Sequence, residues 1–158
     1  MREKRGHRRA SILTLAFVTI VVLATVVAPA AQAGYRGRVL RMVNAARHSH
    51  DLHLVRIDRS LSRKAMRHTR RMIADGSIYD PRNLSRVLRG EPWGTVGASN
   101  VGCAGTLRGL HKALMHSSVH RANILNRDVR RIGIGVVKDN ARNACGRHWF
   151  WETQLFYG

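Results

Sequence analysis

Twenty-two consecutive residues, Ala10 to Ala31, carry no charge, and most of them are Leu, Val, Ile or Ala. A basic segment, Met1-Arg2-Glu3-Lys4-Arg5-Gly6-His7-Arg8-Arg9, precedes the run. Pro29 interrupts its end, and Ala31-Gln32-Ala33 places small residues where a signal peptidase cuts. Basic, apolar, then small residues is the order of a secretory signal peptide. The sequence therefore predicts a leader over 1–33 and a mature domain over 34–158, with cleavage after Ala33. An apolar run of roughly 20 residues also suffices to cross a bilayer, so an uncleaved N-terminal anchor is the alternative. Arg8-Arg9 alone makes a weak twin-arginine signal.

Once 1–33 are set aside, 125 residues are left, enough for one ordinary core and one domain. The whole chain has 28 Lys and Arg against nine Asp and Glu, a net charge of +19. Five of those cations and one acid lie in 1–33, so the mature domain keeps a net +15. Such a polycation attracts anionic polymers or anionic lipid surfaces. Its arginines are dispersed, aromatic residues are few, and no readout motif is present, so sequence-specific nucleic-acid binding is not expected. Cleavage would leave no stable membrane span. Cys103 and Cys145 are the only cysteines. In an oxidising compartment two cysteines make one disulfide.

Hydrophobic spacing predicts a first helix over 35–50, with Val39, Leu40, Met42, Val43 and Ala46 on one face. A connector or short strand follows over 51–57. Asp58 or Ser60 can cap a second helix carrying Leu61, Ala65, His68, Thr69, Met72 and Ile73 on its inner stripe, ended by Gly76. Its arginines lie mostly on the other faces, as a solvated surface. Residues 77–97 read as irregular, with Pro81, Gly90, Pro92, Gly94 and Gly97 as punctuation. A short strand near Asn100–Cys103 precedes a third helix capped by Thr106 and striped with Leu107, Leu110, His111 and Leu114. A helical turn over 120–125 and two strands, 131–137 and 147–156, complete the chain. The expected class is α+β, with a small antiparallel sheet whose apolar face helices cover. A Cys103–Cys145 bond would staple the last hairpin to the strand near Asn100.

Several segments, in this order, resemble the CAP superfamily, the SCP-like domains of cysteine-rich secretory, antigen-five and pathogenesis-related proteins. They are Asn44-Ala45-Ala46-Arg47, the stripe Leu61, Ala65, His68 and Met72, and Ser117-Ser118-Val119-His120-Arg121-Ala122-Asn123-Ile124-Leu125. Ile132-Gly133-Ile134-Gly135-Val136 and Trp149-Phe150-Trp151 with Gln154 and Phe156 complete the set. The resemblance implies an α-β-α sandwich of bacterial type, an extracellular location, and a cleft in which two histidines and acidic residues bind a divalent metal, often zinc. His120 matches one of those histidines. The other is absent from Ser77-Ile78-Tyr79-Asp80-Pro81, and Ser99 stands where the family has a glutamate.

The expected cleft is thus His120, Asp80, Ser99 and Tyr79. His120 is the one clear metal-ligand match, and a site wants three or four ligands. No cofactor is therefore expected, with zinc as the alternative. In the metal-free case His120 is expected to hydrogen-bond neighbouring backbone and Tyr79 or Ser99. No motif places an acid beside Ser117 and His120, so catalytic residues are unassigned. His68 and His111 are expected to be satisfied core or boundary histidines. His48, His50 and His53 read as solvated, and Trp93, Trp149 and Trp151 as core or cleft wall. Three functions fit. They are a non-catalytic module binding lipid, cell-wall polymer or protein, a metal-dependent hydrolase or protease built on His120, and a secreted interaction scaffold.

Overall fold

A computed structural model describes residues 18–158 apart from Trp93, Thr95 and 142–144, with side chains from Ala31 onward. The basic start of the predicted leader, most of its apolar side chains, and Trp93 lie outside the described residues. The chain divides into two compact units, Met1–Ala31 and Gln32–Gly158. The first is described only as the opening of helix α1 (Val18–His48). That helix includes Pro29, where the sequence predicts a break. Proline's fixed φ is helical, so the helix can continue without that one N–H, at a cost of about 3 kcal/mol. Among the described residues no helix is long and apolar enough to cross a membrane.

Beyond α1 the order is β1 (Arg56–Ile57), α2 (Arg59–Ala74), α3 (Leu84–Leu88), β2 (Gly97–Ala104), α4 (Leu107–His116), α5 (Ser118–Ile124), β3 (Arg131–Asp139) and β4 (Trp149–Tyr157). The sheet order is β1-β3-β4-β2. Strands β2 and β3 each pair antiparallel with the central β4, as expected. The two-residue β1 adds a parallel edge, pairing Arg56 with Arg131 and Ile57 with Ile132. The sheet is therefore mixed rather than purely antiparallel, because α2 carries the chain away from β1 and no hairpin joins β1 to β3.

Alternation along β3 separates two layers. Ile132, Ile134 and Val136 are fully buried and pack with Val39 and Val43 of α1, Leu107 and Leu114 of α4 and Ile124 of α5. Gly133 and Gly135 face the opposite way, against α2. A Cβ on Gly133 would come within 2.5 Å of the Leu61 backbone, and one on Gly135 within 2.4 Å of the Ala65–Met66 peptide. Glycine is required there because α2 lies backbone-to-backbone on the strand. Leu61 and Ala65 then meet Leu88, Leu155 and Tyr157, while Met72 meets Val101, Cys145 and Trp151. Helices cover both faces, which makes an α-β-α sandwich with β4 buried on each side.

Local chemistry sets the ends of the elements. Asp58 Oδ1 accepts from the Leu61 N–H at 2.8 Å and caps α2, and its other oxygen accepts from Tyr157 Oη at 2.8 Å. Thr106 caps α4 through the Gly109 N–H at 3.0 Å. The five-residue α3 lies in the stretch read as irregular, capped by Asn83. Cys103 and Cys145 form the predicted disulfide, spanning 42 residues.

Candidate functional site

Arg47 is fully buried, with Nε 2.7 Å from His53 O. Its remaining donors reach Ile124 O at 2.8 Å, Asn126 O at 2.9 Å and Val129 O at 3.2 Å. Asn44 makes two bonds to Val55, donating to its carbonyl at 3.1 Å and accepting from its N–H at 2.9 Å. The Asn-x-x-Arg motif is thus a structural clamp that ties the end of α1 to the segments flanking β1 and β3. Burial, then the nearby charge of Arg130, lowers the pKa of the Arg47 guanidinium.

The four predicted cleft residues are only partly brought together. Ser99 Oγ donates to Asp80 Oδ1 at 2.9 Å. Tyr79 Oη donates instead to Asp75 Oδ2 at 2.6 Å, a bond that raises the phenol's pKa. The His120 ring bonds neither Tyr79 nor Ser99, whose hydroxyls donate instead to Asp75 and Asp80; this corrects the expected pairing. His120 contributes its carbonyl, which accepts from Asn100 Nδ2 at 3.1 Å. The same amide nitrogen is 3.1 Å from Gln154 Oε1, and Asn123 Nδ2 reaches Ser99 O at 3.0 Å and Asn100 Oδ1 at 2.9 Å. The Ser-x-x-His-Arg-x-Asn segment is therefore docked onto β2 through amides and carbonyls.

Among the described residues no three His, Cys, Asp or Glu side chains gather where a metal could sit. Zinc asks for at least three such donors at about 2 Å. With Ser99 in the carboxylate's place and Asp80 bound to it, the donor set does not fit the metal that the resemblance implies. His48, His50 and His53 are exposed, as expected. His68 is buried and satisfied, its Nε2 2.8 Å from Tyr79 O and its ring edge-on to Tyr79. His111 departs from expectation. Its Nδ1 is buried without a hydrogen-bond partner among the described residues, and burial lowers its pKa.

The described residues also form concave sites. One, of about 730 Å³, lies between α2 and residues 79–87. Arg67 and Arg71 stand on its α2 bank and Arg82 and Arg86 on the other, with Tyr79, Asp80 and Asp75 also lining it. His120 lies outside it. Lys64, at one end, is held by Glu91 at 2.6 Å and by Arg89 O at 2.9 Å. The second site, about 700 Å³, lies between α1 and α4, with Arg38, Arg41 and Arg108 around Met42, Leu107 and Phe150. The first was missed because α2's arginines were read as a solvated surface. Its available signal was the i, i+4 spacing of Arg67 and Arg71, which puts that pair on one face of α2.

Glu152 was also missed. It is fully buried at mid-β4, opposite Gly102 on β2 and Val136 on β3. Gln154 Nε2 donates to its Oε1 at 2.5 Å. Burial pushes its carboxyl up to about 7, although the bond from Gln154 opposes the shift.

The fold and its docked motifs define an SCP-like domain. The CAP family model, described as the cysteine-rich secretory protein family, matches residues 40–155, and the chain belongs to that family. No curated protein matches the chain. Three similar solved structures come from bacteria. An extracellular protein containing an SCP domain from Bacillus anthracis is 21% identical, with a TM-score of 0.62 over 80% of this chain and 41% of that one. A cysteine-rich secretory protein of Staphylococcus aureus is 19% identical, with a TM-score of 0.62 over 78% of this chain and 38% of that one. An outer surface protein of Borrelia burgdorferi is 14% identical, with a TM-score of 0.64 over 79% of this chain and 94% of that one. The chain thus spans about two fifths of the Bacillus and Staphylococcus proteins.

Proposed function

We propose that the chain is an exported, non-catalytic CAP domain that binds an anionic ligand in the groove between α2 and residues 79–87. One observation carries the reading. Four arginines line the two banks of that groove, and none of the four side chains has an acidic partner among the described residues. The two acids beside them, Asp75 and Asp80, already accept hydroxyl bonds from Tyr79 and Ser99. Four arginines against two carboxylates still leave a positive surplus in an open groove, and the mature domain's net +15 steers anions towards it. Cell-wall polymer and lipid head groups are the ligand classes in view.

Export is part of the proposal, supported by the order of charges and small residues over 1–33. It expects a mature chain that begins at Gly34, which N-terminal sequencing of secreted protein checks; a start at Met1 would refute cleavage. The anion-binding reading is checked by titrating the purified chain with phosphatidylglycerol vesicles and with phosphodiester polymer at rising salt. Affinity should fall steeply, because screening weakens exposed charge pairs. Binding that is indifferent to salt would refute the reading.

A further inference from the structure

Resting on that reading of the groove, we infer that its ligand is a linear phosphodiester polymer with neutral linkers between its charges. Arg67 and Arg71 are four residues apart on α2, which separates their Cα atoms by about 6 Å along the helix axis. Arg82, just before α3, and Arg86, within it, line the opposite bank. Each bank therefore offers two guanidinium forks in succession, and each fork matches two oxygens of one phosphate. Uncharged Pro81, Asn83, Val87 and Tyr79 also line the groove beside the arginines. That mixed lining suits a chain whose anions are spaced by uncharged polyol. A polymer with charge on every unit would also meet Asp75 and Asp80, which lie in the same groove. The concave shape takes a strand more readily than a flat bilayer.

An abasic deoxyribose-phosphate oligomer is a suitable probe, having phosphodiesters and neutral linkers but no bases. Poly-L-glutamate and phosphatidylglycerol vesicles are the comparison probes, and all are titrated against the purified full chain. Four phosphates engaged on a flexible strand give a slope of log K against log salt of about −3. Affinity for the oligomer then falls about fifty-fold between 50 and 200 mM salt. R67Q/R71Q and R82Q/R86Q should each halve the slope, leaving about a seven-fold fall over the same interval. R56Q/R127Q, which removes two exposed arginines outside the groove, should leave the slope unchanged. R82K/R86K keeps the charge but loses the forks, so it should weaken binding while holding the slope. Melting curves of each variant confirm that it folds.

Poly-L-glutamate binding as tightly as the oligomer would overturn the phosphodiester assignment and leave the anion groove standing. Vesicle binding lost in the groove variants, without oligomer binding, would overturn the polymer in favour of a membrane. Equal losses in the groove and outside pairs, or no binding of any probe, would overturn both this inference and the proposed function.

Discussion

Replacing Glu152 by Gln isolates an acid sealed inside the sheet. The carboxyl is fully buried, and its pKa rises from 4.5 to about 7 because burial penalises the charged form. The folded state therefore holds the proton more tightly than the unfolded state. The stability this contributes is complete below about pH 4.5 and is lost as pH rises through about 7. At about 1.4 kcal/mol per tenfold change in proton affinity, the loss amounts to about 3 kcal/mol by pH 8. Glutamine keeps the shape and still accepts from Gln154 Nε2 through its own oxygen, without a charge to desolvate. Thermal unfolding of wild type and E152Q should therefore agree near pH 4.5 and diverge as pH rises. At pH 8 the variant should melt about 10 °C higher, at about 4 °C per kcal/mol for a domain of this size. Other titrating groups shape both curves alike, so the difference reports Glu152. Parallel curves from pH 4.5 to 8 would refute the reasoning.

Arg47→Ala leaves four carbonyls without their donor inside the clamp and should cost about 4 kcal/mol in denaturant unfolding. A loss under about 1 kcal/mol would show that water replaces the guanidinium. Gly135→Ala drives a Cβ into the α2 backbone and should cost about 3 kcal/mol or abolish folding, whereas Gly37→Ala on α1, whose Cβ would only touch Arg41 Nη1 at 3.6 Å, should be neutral or stabilising. Removing the disulfide with C103S/C145S releases a 42-residue loop and should cost about 4 kcal/mol in the chain-entropy account. For His120, metal analysis of purified protein should find no stoichiometric zinc. One zinc per chain that disappears in His120→Ala would instead support the hydrolase alternative.

Much of the framework was legible because its causes are local. Asp58 and Thr106 advertise helix starts by capping chemistry that needs only three neighbouring residues. The Ile132-Gly133-Ile134-Gly135 alternation shows one strand face that must be filled and another that must be empty. The losses have physical reasons too. Helix α3 has five residues, too few for any period to register. Strand β2 begins Gly97-Ala98-Ser99, weak strand formers held in place by pairing with β4. The two-residue β1 owes its parallel pairing to contacts more than 70 residues distant. At the site, the sequence indicated Asp80 and Ser99, which do meet, but not that Tyr79 turns to Asp75. The arginine groove depends on α3 lying opposite α2, which no window along the chain reveals. Glu152 stands beside apolar and aromatic residues in a strand that is buried on both faces, and that double burial is itself a tertiary fact.

The contact of α2 with Gly133 and Gly135 has a consequence for how such a domain can change. One side of the helix is pressed so closely on the sheet that a single methyl group is too much. The other side faces solvent and the groove, where side chains can be exchanged with little cost to folding. The same sixteen-residue rod is thus frozen on one side and rewritable on the other. A scaffold of this kind can change what its groove presents while its backbone stays put.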